Sequence, residues 1–127
     1  MLFFLFILVF FFSEKRRFLL PSLFLSSSSS LQTVIGQTAL MMAAMRGHDT
    51  VIALLLEADA QIDAQNSSGH TPLICASLNG EEAAVRELLK GNPNLDLKNK
   101  YGKTALDRAR EYKRQSIVDL LVDHERS

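Results

Sequence analysis

Apolar residues between residues 36 and 127 recur with two periods, the period of a helix turn and a longer one of 33 residues. The helical spacing i, i+3, i+4 positions one apolar stripe in each copy of the longer period. The apolar pairs that carry this pattern are Val51-Ile52, Ala84-Val85 and Ile117-Val118, followed by Leu55-Leu56, Leu88-Leu89 and Leu121-Val122. An amphipathic pattern that returns at a fixed interval predicts helices in a repeated structural unit.

Four other residue types keep the same interval and predict how each unit is built. Glycine permits a tight turn, and threonine two residues later is a preferred helix N-cap. A short helix, a turn and a second helix follow, and such a unit must pack against its neighbours because it has no closed core. The sequence therefore predicts an all-α solenoid. The recurring residues are Gly36, Gly69 and Gly102; Thr38, Thr71 and Thr104; Leu40, Leu73 and Leu106; and Ala43, Ala76 and Ala109.

These residues resemble the ankyrin-repeat family, whose unit is a β-turn and two helices in about 33 residues with a T-P-L-H-x-A motif. The second copy reads Thr71-Pro72-Leu73-Ile74-Cys75-Ala76, and Gly47-His48 is similar to the family's G-H pair. The resemblance implies stacked helix–turn–helix units with β-turn or hairpin tips. It implies a domain over residues 33–124, with repeats at about 36–68, 69–101 and 102–124 and a tail at 125–127.

The copies depart from the family pattern at two places. Met41, Ile74 and Asp107 replace the motif histidine, which should remove a partner of the threonine hydroxyl and loosen each turn. Lys113 stands where the first two copies have glycine, so a left-handed conformation there would be strained. The third copy ends after its second helix, as a terminal cap would, and the first copy lacks an obvious cap. This suggests the end of a longer array, or an open end covered by the apolar N-terminus.

Residues 1–32 lie outside the repeat pattern and allow several interpretations. Residues 1–12 are uniformly apolar, which is too short to cross a bilayer but long enough for a signal peptide or anchor within residues 1–25. Residues 18–30 contain only Phe, Leu, Pro and Ser, the residues that all-pyrimidine codons encode. We favour the hypothesis that residues 1–32 are a gene-model artefact, a translated polypyrimidine tract before a splice acceptor.

Composition narrows the range of functions. The 14 basic and 14 acidic residues cancel, which argues against nucleic-acid binding. The single cysteine, Cys75, cannot form an internal disulfide. His48, His70 and His124 fit no metal or catalytic motif, and no phosphate-binding loop is present. We therefore expect no enzymatic activity, no cofactor, no metal site and no small-molecule substrate.

Charge is unevenly distributed along the repeats. Between Asp49 and Asp96 there are eight acids and two bases, whereas between Lys98 and Ser116 there are seven bases and two acids. The third repeat should thus present a positive surface beside a negative middle. That surface would either keep an end cap soluble or steer an oppositely charged protein partner.

The resemblance implies that a partner binds the concave face formed by the turn tips and the first helices. Tyr and Arg are frequent energetic anchors at interfaces. For Tyr101 and Tyr112 the alternative is packing on one another or on the cap. The candidate partner-binding residues are Met45, Arg46, Ser67, Ser68, His70, Leu78, Asn79, Lys100, Tyr101, Lys103, Glu111 and Tyr112, to which the tip positions Val34, Ile35 and Gln37 of the first copy are related.

The leading functional prediction is a non-catalytic protein–protein interaction module, an adaptor, scaffold or inhibitor in the cytoplasm or nucleus. One alternative is the C-terminal fragment of a larger channel or enzyme that its repeats regulate. Another is a membrane-tethered or secretory repeat protein that uses residues 1–25. The partner is expected to be another protein, with membrane contact only if residues 1–25 are a real anchor.

Overall fold

The computed structural model describes residues 38–127, and within that range the secondary structure is six α-helices with no strand. The expectations for residues 1–32, for the cover of the first repeat and for tip positions Val34, Ile35 and Gln37 lie outside the described residues. None of the helices in residues 38–127 has the length and apolarity needed to span a bilayer. The helices are α1 (Ala39–Met45), α2 (Asp49–Glu57), α3 (Pro72–Asn79), α4 (Glu82–Lys90), α5 (Ala105–Glu111) and α6 (Gln115–Arg126).

The helices stack in two parallel rows. The first helices of the repeats, α1, α3 and α5, pack on one another in chain order, and the second helices, α2, α4 and α6, form the other row. Each pair is closed into a hairpin, so every repeat buries one apolar face against the next. Helix α6 continues through Arg126, past the expected repeat boundary at residue 124. The core between the rows contains Leu40, Ile52, Leu55, Leu73, Ile74, Val85, Leu88, Ile117 and Leu121.

Each first helix begins at a threonine cap. The hydroxyl oxygens of Thr38, Thr71 and Thr104 accept hydrogen bonds from backbone N–H groups three residues on, at 3.2, 3.1 and 3.2 Å. These bonds confirm the threonine N-caps, while the expectation that the missing motif histidine removes one further partner and loosens each turn stays a prediction. In the third repeat Asp107 completes a capping box by accepting from the Thr104 N–H at 3.0 Å.

A residue in the left-handed conformation connects the two helices of every repeat. The φ angles are 72° at Gly47, 75° at Gly80 and 57° at Lys113, so the third repeat keeps the turn although it lacks the glycine. A Cβ at Gly47 or Gly80 would meet only the far end of a flexible side chain, the Glu81 carboxylate or the Arg114 guanidinium, so the left-handed conformation is the main reason for glycine at both positions. Lys113 is exposed, and the left-handed backbone conformation there is strained because lysine has a Cβ.

Replacing Lys113 with glycine is expected to raise the free energy of unfolding by about 0.5–1 kcal/mol, because glycine adopts this conformation without strain. Urea-induced unfolding followed by circular dichroism would measure the gain. Lys113→Ala is the matched control, since it removes the same side chain but keeps the strained conformation. Equal stability of the two variants would show that Lys113 is not strained.

The turn tips before α3 and α5 are rigid and are tied to each other. The Asn66 side-chain oxygen accepts from the N–H groups of Ser68 and His70, and the Asn99 oxygen accepts from those of Tyr101 and Lys103, all at 2.9–3.1 Å. The Lys100 N–H also donates to the Ser68 carbonyl oxygen at 3.0 Å, which joins the two tips. These bonds hold residues 66–70 and 99–103 in a fixed mutual position.

Candidate functional site

The candidate surface consists of these turn tips together with the C-terminal ends of α1, α3 and α5. Because α5 has seven residues, its two ends are about 10 Å apart. The residues predicted from the sequence fall into two groups, one on the turn tips and one at the C-terminal ends of the first helices. At the tips lie Ser67, Ser68, His70, Lys100, Tyr101 and Lys103, and at the helix ends lie Met45, Arg46, Leu78, Asn79, Glu111 and Tyr112.

Candidate residues of the first two repeats contribute mainly to structure. The Asn79 amide nitrogen donates to the Met45 carbonyl oxygen at 3.0 Å, which ties the end of α3 to the end of α1. Leu78 and Met45 are half-buried, whereas Arg46 is exposed. At the tip, Ser67 is exposed, and Ser68 is half-buried with its backbone bonded on both sides. Asn79 is therefore a repeat-linking side chain as well as an exposed one.

Tyr101 is the most exposed large apolar side chain of the described residues, with 60% of its surface accessible, and Tyr112 follows with 50%. Neither ring is part of the buried core of the described residues. Two cations flank the Tyr101 ring. The Lys100 Nζ lies 5.2 Å from the ring centroid and the Arg108 guanidinium carbon lies 5.6 Å from it.

Arg108 is the functional candidate that sequence reasoning missed. Its side chain is only 13% exposed, and one guanidinium nitrogen donates to the Glu111 carboxylate at 2.7 Å. Its Nε is buried and has no hydrogen-bond partner among the described residues. Arg108 thus connects Tyr101 at the tip with Glu111 at the end of α5. The only signal for it in the sequence was its membership of the basic stretch after Lys98.

The comparison with protein families bears directly on this architecture. A family model for ankyrin repeats, comprising three copies, matches residues 17–99 and 40–127. The chain belongs to the ankyrin-repeat family. Arrays of ankyrin repeats generally mediate protein–protein interactions and are typically non-catalytic. No curated protein matches the chain significantly in sequence.

The ankyrin-repeat array holds its one cysteine where it is chemically unreactive. Cys75 is 3% exposed on α3, and burial raises the pKa of its thiol to about 12. The thiolate is the nucleophile, and at pH 8 it would be about one ten-thousandth of the total with such a pKa. Within residues 38–127, no group of three His, Cys, Asp or Glu side chains is placed to hold a metal ion.

Labelling with a thiol reagent at pH 8 is expected to be at least about a hundredfold slower for native Cys75 than for a surface cysteine, because the thiol is buried and protonated. A Cys75→Ala/Ser67→Cys variant supplies that surface cysteine on the exposed tip. In urea the two proteins should react at similar rates. Similar rates under native conditions would show that Cys75 is accessible.

The protonation of His70 is affected by burial and by two nearby cations. Burial, then the nearby charges of Arg108 and Lys100, lower the pKa of its imidazole below the usual 6.5. Its Nε2 is buried and has no partner among the described residues. The ankyrin-repeat tip therefore holds a neutral histidine beside two fixed cations.

Acid is expected to destabilise the fold through His70. Because the folded state resists protonation that the unfolded state accepts near pH 6.5, stability should be full above that pH and decline as pH falls below it. The unfolding free energy should thus decrease less for His70→Gln than for the native chain between pH 7.5 and 5.5. Urea titrations at both pH values measure the difference, and parallel decreases would contradict it.

Proposed function

We propose that this ankyrin-repeat chain is a non-catalytic interaction module, an adaptor, scaffold or inhibitor, that binds a partner protein across the candidate surface. The observation that carries the proposal is the position of Tyr101. Its ring is 60% exposed although it stands on a tip held by Asn99 and by the bond from Lys100 to Ser68. A rigid, exposed aromatic side chain loses little conformational entropy when a partner covers it.

The other tyrosine supports an extended binding surface. Tyr112 caps the far end of α5 and is half exposed, so the two rings bracket one helix about 10 Å long. Interface cores are enriched in Tyr and Arg, and the candidate surface offers both types. We propose that Tyr101 and Tyr112 are the main anchors. The surrounding contacts are proposed to come from Met45, Arg46, Ser67, Ser68, His70, Leu78, Asn79, Lys100, Lys103 and Glu111.

Site-specific photo-crosslinking tests the proposal. A benzophenone amino acid placed at Tyr101 or Tyr112 of the full chain should capture a discrete partner in cells. The matched controls carry it at Arg86 on α4 or Asp119 on α6, two exposed positions on the row of second helices. Partners identified by mass spectrometry are then purified and titrated against the chain. Capture at the control positions, with none at the tyrosines, would refute the proposed surface.

A further inference from the structure

We propose that the third repeat, together with the turn tip that precedes it, binds an extended acidic segment of the partner protein, with Asp and Glu side chains as the recognised groups. This proposal rests on the proposed function, because it names the chemistry of the partner at the same surface. We call the binding region the basic tip, and it consists of Tyr101 with Lys100, Lys103, Arg108 and Arg110.

The cations of the basic tip lie close enough to act on shared neighbours. Arg108 and Lys100 both lower the pKa of His70, after burial. Lys103 and Arg110 both contribute to the lowered pKa of Asp107, for which the Thr104 backbone hydrogen bond is the largest cause. Lys100 and Arg108 thus share one neighbour and also flank the Tyr101 ring, while Lys103 and Arg110 lie near Asp107 on the same tip and helix.

Most of this positive charge is not neutralised within the described chain. Lys100, Lys103 and Arg110 form no ion pair with a carboxylate of residues 38–127. One Arg108 guanidinium nitrogen donates a hydrogen bond to the Glu111 carboxylate, and the Arg108 Nε has no hydrogen-bond partner among the described residues. The other nearby acid, Asp107, caps α5 and offsets part of the charge of Lys103 and Arg110 without forming an ion pair with either. A carboxylate from outside would thus meet three cations that form no ion pair within residues 38–127.

The Tyr101 ring gives the basic tip a fixed geometry. Lys100 and Arg108 lie against the ring at cation–π distances, which limits the freedom of two long side chains before any ligand arrives. Because less side-chain entropy remains to be lost, charge-assisted hydrogen bonds to a carboxylate gain affinity. The exposed part of the ring can cover the aliphatic stems of Glu residues in the bound segment.

The extent of the basic tip favours a short peptide over a nucleic acid. Helix α5, which carries Arg108 and Arg110, is about 10 Å long, and an extended segment of about three to four residues spans that length. The stretch from Asp49 to Asp96, which covers parts of the first two repeats, contains eight acids and two bases, and the whole chain is neutral. A long phosphate backbone would leave the basic tip and meet like charge, whereas a short acidic segment ends within it.

Direct binding of a defined probe tests the inference. Fluorescein-labelled hexaglutamate is titrated with the full chain and followed by anisotropy at low salt, alongside labelled hexaglutamine and hexathymidylate. The test variant is Lys100→Glu/Lys103→Glu. Its matched control is Lys90→Glu/Arg126→Glu, which makes the same change in net charge at exposed positions on α4 and α6. Thermal melts establish that both variants fold.

The inference predicts that hexaglutamate binds and that hexaglutamine does not. The affinity should fall about tenfold or more in the tip variant and less than about twofold in the control, and it should weaken as salt is added. Hexathymidylate should bind about tenfold more weakly than hexaglutamate, since its longer phosphate backbone extends past the basic tip towards the acidic residues between Asp49 and Asp96. Equal losses in the two variants, no preference over hexaglutamine, or tighter binding of hexathymidylate would each overturn the proposal.

The two proposals fail in different ways. If photo-crosslinking at Tyr101 captures a protein but hexaglutamate does not bind, the interaction module stands and the acidic chemistry of its partner is wrong. If hexaglutamate binds at the basic tip but the tyrosines capture no protein, the site is an anion site without the proposed interaction function.

Discussion

The double variant Tyr101→Ala/Tyr112→Ala is expected to bind the purified partner identified by photo-crosslinking about a hundredfold more weakly than the native chain does. Its melting temperature should stay within about 4 °C of the native value. The physical reason is that the rings are 60% and 50% exposed, so the folded chain gains little from them and a partner can gain much. Isothermal titration calorimetry measures the affinity, and circular dichroism measures the melting temperature.

Lys90→Ala/Arg126→Ala is the control for this experiment because it truncates two exposed side chains on the second helices. It should leave both the affinity and the melting temperature nearly unchanged. A large drop in melting temperature for the tyrosine variant would identify the rings as structural. Unchanged affinity in a stable tyrosine variant would remove them from the interface.

The second large effect is expected at Gly69, where alanine should reduce the free energy of unfolding by about 2–4 kcal/mol. Gly69 has a φ of 75°, which disfavours any side chain. A Cβ there would also lie 2.8 Å from the Lys100 backbone nitrogen and 2.9 Å from the Asn99 Cα. The neighbouring tip would have to move, which would break the bond between Lys100 and the Ser68 carbonyl.

Gly102→Ala separates the two causes of that loss. Gly102 has nearly the same φ, 72°, but no atom of the described chain lies within 4 Å of the position its Cβ would take. Gly102→Ala should therefore reduce the free energy of unfolding by about 1 kcal/mol, from the strained backbone conformation alone. Urea unfolding of both variants gives the comparison. Equal costs would show that the packed tips do not resist separation.

The 33-residue pattern was sufficient to predict the helices and their stacking. Thr71 and Pro72 predicted the start of α3 as its N-cap and first residue. The glycine at position 80 predicted the left-handed turn, because glycine adopts a positive φ without strain. These features are local in sequence and depend on backbone conformation, which each residue type limits strongly.

Interactions between repeats were much harder to predict because they depend on the direction of side chains and join residues that do not share a helix. Nothing local indicates that the Asn79 amide reaches the Met45 carbonyl, or that Arg108 lies under Tyr101. The capping box of Thr104 and Asp107 is different, because it joins residues three positions apart and was missed although its pattern is local in the sequence.

Amide hydrogen exchange of the full chain, with and without the purified crosslinked partner, tests the central claim most directly. If the partner covers the turn tips and the ends of the first helices, protection should increase in residues 66–70, 99–104 and 110–113. The row formed by α2, α4 and α6 should exchange as before. Protection confined to that second row, with the tips unchanged, would contradict the proposed binding surface.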